Sequence, residues 1–391
     1  MTDWQPRAAA YADQLVADAV LIDPTWQKVF ATTPRHLFVP RYWALDEYNS
    51  LATLISGDDP DQRDTWLDAV YSDRFLVTQW APSTTRTGRP IHVVTSSASQ
   101  PCTVAVMLDR LAVQDGHTVL EIGTGTGYNA ALLCARVGDD NVTSIDIDPG
   151  LVRDATASLT ACGYRPRVHT GNGATGSPRA APFDRIIATC SVDHIPPAWV
   201  HQLAPGGRLV APLSFGGALA VLDKTVDHEV SGHIDTFTVY FMSLRETIHQ
   251  PKPTGIAPGM PDKAPTDKSH HGHTDVDPRE LDDPDVQLWL SLHLPGVHFS
   301  HTYEDGTPIG AIVYTAHDRA DTHYQATDDG LWPVTQQGNR PWDTVEAAMR
   351  AWNRNDRPDR SRLGITARRD GAQHLWLDAP SSPHTWPPPT L

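Results

Sequence analysis

The spacing of apolar positions divides the chain into stretches of different character. Up to residue 30 they fall at helical intervals: Ala8, Tyr11, Leu15 and Ala19, then Trp26, Val29 and Phe30 after a break at Asp23-Pro24. This spacing predicts two amphipathic helices, with Asp23 capping the second and Pro24 in its first turn. Pro34 to Pro40 is bounded by prolines and predicts a rigid extended segment. Residues 41–90 are mixed, with a turn-rich insertion at Ser56-Gly57-Asp58-Asp59-Pro60, an apolar run Phe75-Leu76-Val77, and a loop from Thr84 to Pro90. Small hydroxyl residues, Thr95 to Ser99, lead into a buried helix opened by Pro101 and continued by Val104-Ala105-Val106-Met107-Leu108.

From 118 to 222 short apolar runs alternate with helical periods. Strands are predicted at Thr118–Ile122, Val142–Ile147, Arg167–Thr170, Asp184–Thr189, Arg208–Pro212 and Ala218–Asp223, and helices at about 129–137, 150–162 and 196–204. That alternation predicts an α/β, Rossmann-like fold preceded by a helical extension. Between about 249 and 280 the chain turns proline-rich (Pro251, Pro253, Pro258, Pro261, Pro265) and ends in His270-His271-Gly272-His273. Such a composition buries too little apolar surface to fold alone and predicts a linker. Order resumes with Val286 to Leu290, a hairpin turn at Glu304-Asp305-Gly306-Thr307, an amphipathic helix at Thr344–Trp352 and a final strand at Gln373–Leu377; the proline-rich tail from Ala379 is expected to be loose. The expected organisation is therefore 1–248 for the helical extension and Rossmann-like domain, 249–280 for the linker, and 281–391 for a smaller C-terminal α+β domain that recognises substrate. Trp289, Trp332, Trp342, Trp352 and Trp376 are expected mostly in its core, with one or two lining a peptide groove.

Composition narrows the class. With 40% apolar residues and no unbroken apolar run of bilayer length, the chain reads as soluble, without a membrane partner. Its first residues lack the basic-then-apolar plan of a secretory signal, and Cys102, Cys134, Cys162 and Cys190 are scattered, which suits reduced thiols and a cytoplasmic location. A formal charge of −16 opposes wrapping a nucleic acid backbone.

Candidate chemistry centres on Val119 to Asn129, where a strand runs into a glycine-spaced turn and a helix start. The pattern is Glu121-x-Gly123-x-Gly125-x-Gly127. Loops of this kind bind NAD, FAD and S-adenosylmethionine alike; the absence of a following Lys-Ser/Thr pair excludes a P-loop. Asp146 ends the next strand, where a carboxylate accepts from both ribose hydroxyls, while Asp148-Pro149 reads as the cap of the next helix. Gly171-Asn172-Gly173 closes the third strand, where an adenine edge would lie. Thr189-Cys190-Ser191 ends the fourth, with Cys190 read as a small wall residue in preference to a thiolate nucleophile. His270, His271 and His273 either bind metal or are solvated; their setting in a linker favours solvation, and no metal is expected. Arg35 and His36 either meet an acidic substrate or anchor their segment to the sheet.

The succession Pro34 to Pro40, Ser99-Gln100-Pro101, Val119 to Ala131, Gly171-Asn172-Gly173, Ala181 to Thr189 and Gln202 to Val210 resembles the protein-L-isoaspartate O-methyltransferases over roughly residues 25–215. Ser96 to Pro101, Val142 to Pro149 and the added C-terminal region further resemble the methyltransferases of ATP-grasp peptide maturase (graspetide) systems, whose sister subgroup accompanies lanthipeptide synthetases. The resemblance implies S-adenosyl-L-methionine as cofactor, held by Glu121, Gly123, Thr124, Gly125, Gly127, Tyr128, Asp146, Ile147, Asn172, Gly173 and Thr189. It implies that Ser99 faces the accepting carboxylate, with Ser97 as a second candidate, and that Gln100, Arg35 and His36 lie toward the substrate. A helix cap is the alternative role for Ser99. The implied reaction is methylation of an aspartate side chain in a precursor peptide already macrocyclised by an ATP-grasp ligase, followed by closure to an aspartimide. Two departures separate the chain from the repair enzymes: Ser97-Ala98-Ser99 replaces their Thr-Ile-Ser, and Gly171-Asn172-Gly173 their Gly-Asp-Gly. The first implies a reshaped acceptor pocket. General isoaspartyl repair and small-molecule methylation are the rival enzymatic readings.

Overall fold

The computed structural model describes residues 4–45, 51–84, 90–226, 228–247 and 269–389. The tip of the expected loop after Thr84 (85–89) and most of the expected linker (248–268) lie outside the described residues.

Helices α1 (Gln5–Ala17) and α2 (Pro24–Thr32) follow the apolar spacing. The Asp23 carboxylate accepts from the Thr25 amide at 2.8 Å, the expected cap. The segment from Pro34 to Pro40 is not extended as expected; Arg35–Leu37 form a 3₁₀ turn. The Arg35 side chain is drawn inward to a set of carbonyls described below, and the backbone curls to deliver it.

The mixed region that follows is a four-stranded antiparallel sheet. It is built from β1 (Arg41–Leu45), β2 (Leu51–Ser56), helix α3 (Arg63–Val70), β3 (Leu76–Thr84) and β4 (Pro90–Ala98), in strand order β2-β1-β3-β4. Tyr42, Leu76 and Ala98 pack against Trp66, Leu67 and Val70 beneath one face. The hydroxyl-rich run before Pro101 is thus the end of a strand. Register shifts at Val77/Gln79 and Gln79/Trp80 interrupt the in–out alternation that would have announced it.

The buried helix α4 (Pro101–Leu111) leads to the α/β core: β5 (Val119–Ile122), α5 (Tyr128–Val137), β6 (Val142–Asp146), α6 (Pro149–Ala161), β7 (Arg167–Thr170), β8 (Phe183–Ala188), α7 (Pro197–Gln202), β9 (Leu203–Pro212), β10 (Leu219–Val226) and β11 (Glu229–Ile234). Strands β7, β6, β5, β8 and β9 are parallel, with β5 in the middle, so the order reverses at β5. Ligands of open α/β sheets bind outside the strand ends at such a reversal. Alternation along the strands feeds two cores. Val119, Val142, Ile187 and Val210 meet α1, α2, α4 and α5, whereas Leu120, Ile122, Ile186 and Leu209 join a cluster with Trp199 of α7.

After residue 269 come β12 (His270–Thr274), α8 (Pro284–His293), β13 (His298–Glu304), β14 (Thr307–Tyr314), β15 (Arg319–Thr322), β16 (Trp332–Gln337), α9 (Pro341–Arg354), β17 (Leu363–Arg368), β18 (Gln373–Leu377) and β19 (Thr385–Trp386). Strands β12 to β16 form a five-stranded antiparallel sheet, whereas β17, β18 and β19 continue the central sheet beyond β11 and bring it to ten strands. Two expectations are corrected here. His270-His271-Gly272-His273 is an edge strand paired with β16, and the tail carries β19 paired with β18. Backbone pairing orders both, whatever their side chains.

The seam between the regions is tight. A Cβ on Gly216 would lie 2.5 Å from the Leu288 Cα of α8. Arg360, 2% exposed, donates to Asp285 at 2.7 Å and to the Gly217 carbonyl at 3.2 Å. Trp289, Trp342, Trp352 and Trp376 are buried, as expected, and the first three belong to the cluster that contains Leu120. Among the described residues no helix is long and apolar enough to cross a membrane.

Candidate active site

β5 ends at Ile122, and the chain must turn at once into α5. Gly123, Gly125 and Gly127 make that turn with φ of +97°, +52° and +86°, values that side-chain-bearing residues resist. Space also excludes side chains: a Cβ would lie 2.9 Å from Thr189 Oγ1 at Gly123 and 2.9 Å from Ala155 Cβ at Gly127. The Gly123 amide donates to the Ile145 carbonyl at 2.8 Å, which pins the loop to the end of β6.

Glu121 braces this loop from within. Its carboxylate accepts from the Asn129 side-chain amide at 2.8 Å and from the Ser144 hydroxyl, and Ser144 in turn accepts from the Thr124 hydroxyl at 2.6 Å. Burial pushes the Glu121 carboxyl up to about 7, against the lowering effect of the Ser144 and Asn129 hydrogen bonds. Both oxygens are committed inside the protein, so Glu121 shapes the cavity that it borders.

Asp146 accepts from the Gly125 amide at 2.9 Å and from the Asp148 amide at 3.0 Å. Burial raises its pKa, and those two amides oppose the rise. Asp148 turns away, accepting from the Gly150 amide at 2.7 Å as the cap of α6 and from Gln79 of β3 at 3.0 Å. Of the two acids, Asp146 faces the site.

These groups line a cavity of about 440 Å³. Residues 121–126, Tyr128, Asn129, Ile145, Asp146, Ile147, Gly173 and Thr189 contribute to one side of it. Val94 to Ser97 of β4 lie against the glycine loop, a Cβ on Gly125 falling 3.9 Å from both Ser96 Oγ and the Ser97 carbonyl. Ser99, Gln100 and Thr103 continue that wall, and Thr238 with Tyr240 to Arg245 supply another. The last segment is strapped to the end of β8: the Ser191 amide donates to Met242 at 2.9 Å and the Leu244 amide to Ser191 at 2.8 Å. Phe75 and Tyr240, 51% and 70% exposed, also border the cavity.

One cavity thus brings together Ser97, Ser99, Gln100, Glu121, Gly123, Thr124, Gly125, Tyr128, Asp146, Ile147, Gly173, Thr189 and Cys190. Gly127 backs the loop against α6. The Ser99 hydroxyl makes no hydrogen bond to the described residues, and α4 is capped instead by Asp73, whose carboxylate accepts from the Cys102 amide at 2.8 Å. The cap alternative for Ser99 therefore falls away. Gln100 donates to the same Asp73 at 2.8 Å, which directs its side chain toward that carboxylate. Burial pushes the Cys190 thiol up, so it stays a neutral wall residue.

Three expectations are corrected. Asn172 does not reach the cavity: its Oδ1 accepts from the Ala174 amide at 2.9 Å, capping its own turn. Arg35 is 0% exposed and donates to the carbonyls of Val70 (2.6 Å), Ser72 (3.3 Å), Arg74 (3.2 Å) and Ser99 (3.0 Å). Its guanidinium also lies 5.8 Å from the Tyr128 ring centroid. Arg35 thus anchors the backbone behind Ser99 and meets no substrate. His36 is held by the Tyr71 hydroxyl at 2.7 Å, between the rings of Trp4 and Trp66, and burial lowers its pKa. Asp73, Phe75, β4 as a wall and Thr238–Arg245 were not foreseen. The apolar run at Phe75 was the one visible signal among them.

A central strand at the order reversal, a glycine loop and an acid closing the next strand define a Rossmann-like enzyme that binds a nucleoside-type ligand. Residues 7–247 match the family model described as protein-L-isoaspartate(D-aspartate) O-methyltransferase. The chain is 46% identical over 151 residues to protein-L-isoaspartate O-methyltransferase 1 of Anaeromyxobacter sp. (strain Fw109-5), covering 37% of this chain and 70% of that protein. It is 47% identical over 136 residues to the protein-L-isoaspartate O-methyltransferase of Anaeromyxobacter dehalogenans (strain 2CP-1 / ATCC BAA-258), covering 34% of this chain and 64% of that one. A solved protein-L-isoaspartate O-methyltransferase shares the fold at a TM-score of 0.51 and 19% identity, covering 95% of this chain and 99% of that chain. The chain belongs to this family of S-adenosylmethionine-dependent O-methyltransferases. The residues fit that cofactor: bare glycine main chain lies beside the cavity, and the Asp146 carboxylate stands where vicinal hydroxyls would meet it.

Proposed function

We propose that this enzyme methylates an aspartate side chain of a ribosomally made peptide, closed beforehand by an ATP-grasp ligase, and that the ester then collapses to an aspartimide. The observation that carries the carboxylate acceptor is the Ser99 hydroxyl, free of hydrogen bonds to the described residues and bordering the same cavity as the glycine loop. S-Adenosylmethionine, when bound, supplies an electrophilic sulfonium methyl. The glycine loop and Asp146 would hold it. Ser99 donates a hydrogen bond that orients the accepting carboxylate, and a neutral donor leaves the charge on the nucleophile. No base is required, because a carboxylate of ordinary pKa, about 3.9, is ionised at neutral pH. Alignment and exclusion of water are the main demands, and positioning of this kind supplies roughly 7–11 kcal/mol in favourable systems. In the ester, the next residue's backbone nitrogen forms a bond to the side-chain carbonyl carbon, and methoxide leaves with the amide proton as methanol.

Support for a peptide comes from the cavity's borders. Phe75 and Tyr240 offer exposed aromatic surface beside it, and an inserted four-stranded sheet contributes β4 to its wall. With S-adenosylmethionine and any precursor peptide found encoded beside its gene, the enzyme should add one methyl to the peptide, which then loses methanol, as read by mass spectrometry. No change in any adjacent peptide overturns the proposal. General isoaspartyl repair, favoured by the names of the relatives, predicts instead that an unrelated isoaspartyl hexapeptide is methylated as fast as the precursor.

A further inference from the structure

Three charged side chains line the active-site cavity among the described residues: the acids Glu121 and Asp146, and the cation Arg245. Arg245 is half-buried, and its one hydrogen bond to the described residues is long, from Nη2 to the Thr95 carbonyl of β4 at 3.3 Å. It forms no ion pair with a described residue. A guanidinium presents a planar fork of donors that matches a carboxylate, and such pairing is strongest where water is partly excluded. Arg245 belongs to the same wall as the exposed Tyr240 and reaches across to β4, so it joins two walls that contain none of the glycine loop. Asp146 would repel an anionic peptide, and Arg245, whose charge already acts on that carboxylate, offsets the repulsion.

The carboxylate that receives the methyl is a poor partner for it, because a bidentate arginine would draw charge from the nucleophile. We propose that Arg245 binds a second carboxylate of the acceptor, so that the preferred substrate carries another Asp or Glu beside the aspartate that is methylated. This rests on the peptide-methylating reading above and names its substrate class.

The test separates binding from turnover. Fluorescein-labelled side-chain-macrocyclised peptides carry a central aspartate flanked on both sides by Asp, by Asn or by Lys, and binding to the full chain is followed by anisotropy with S-adenosylhomocysteine present. Wild type should hold the Asp-flanked peptide about tenfold more tightly than the Asn-flanked one. Arg245→Gln should abolish that difference, Arg245→Lys should keep part of it, and Arg245→Glu should shift the preference to the Lys-flanked peptide. Calorimetry should find S-adenosylhomocysteine affinity within about twofold of wild type in each variant, which also reports that the site is folded. Equal affinity of wild type for the Asp- and Asn-flanked peptides, absence of binding to all of them, or a preference that survives Arg245→Gln overturns the assignment. So does an Arg245→Gln enzyme that loses affinity for S-adenosylhomocysteine but not for methylthioadenosine, which lacks the carboxylate; Arg245 would then serve the donor. Methyl transfer to the same peptides is read separately by mass spectrometry. Its failure with flanking-charge preference intact overturns the methylation reading and leaves the binding role standing.

Discussion

The two sides of the cavity, which we propose to hold the methyl donor and the acceptor, are built in different ways. Most of the donor side comes from one βαβ unit, Glu121 to Ile147, in which a strand, a glycine turn, a helix and a second strand follow one another. The acceptor side is gathered from Phe75, β4, the start of α4 and Thr238–Arg245, and the bond joining Arg245 to Thr95 spans 150 residues of sequence. A turn that only glycine adopts is a local event and survives change elsewhere. A wall assembled from distant strands depends on every pairing that brings it there, so acceptor choice can change while the donor side stays the same.

That contrast breaks most readily at Arg35. Arg35→Leu strips donors from four carbonyls and leaves the backbone behind Ser99 unsupported. We expect a loss of about 3–5 kcal/mol in urea unfolding. If the two sides are separable, the protein that remains folded keeps its affinity for S-adenosylhomocysteine; a parallel loss would show that they are one unit.

Glu121 probes the donor side through pH. Its carboxyl, normally near 4.5, is raised to about 7 in the fold, so the folded chain binds that proton more tightly than the unfolded chain. Its contribution is fully present below about pH 4.5 and is lost as pH rises through 7, a change of about 3 kcal/mol. Glu121→Gln removes the titration, so the difference in Tm between variant and wild type should move in the variant's favour from pH 4.5 to 8. A difference that stays constant would show that Glu121 does not titrate in that window.

Asp146→Ala should weaken S-adenosylhomocysteine binding roughly thirtyfold, about 2 kcal/mol, with peptide affinity unchanged by anisotropy. Ser99→Ala is the mirror image and the smallest effect. We expect kcat to fall about tenfold, near 1.4 kcal/mol, with S-adenosylhomocysteine affinity unaltered by calorimetry. A Ser99→Ala enzyme that instead loses donor affinity would move Ser99 to the donor side.

Legibility in the sequence follows the same division. The βαβ unit shows itself by apolar runs, by glycines whose φ is positive, and by Asp146 and Asp148 two residues apart with different tasks. Glu304-Asp305-Gly306-Thr307 shows a hairpin because Asp305 and Gly306 take the left-handed φ that such a turn requires. The helix around Thr344–Trp352 is visible because Trp342, Val345, Met349 and Trp352 recur on one buried face. β3 and β4 are hidden by shifted register, and β12 by a histidine-rich composition whose order comes from backbone pairing with β16. Arg35 looks like a surface cation because nothing local marks the carbonyls of residues 70–99 that surround it. Asp73 caps a helix that begins 28 residues later in the chain, beyond any local capping pattern.

Sequence alone determined the α/β core, the glycine loop, the carboxylate that ends β6 and the family to which these motifs point. Each rests on backbone preference or on hydrophobic period over a few residues, and both are written locally. The tertiary structure alone decided that the Ser99 hydroxyl is unbonded among the described residues while Arg35 is buried behind it, that Asn172 caps its own turn, that Arg245 borders the cavity, and that β17 to β19 continue the central sheet. Those outcomes depend on which distant backbone groups find one another, because a buried donor or acceptor must be paired wherever its partner lies in the chain.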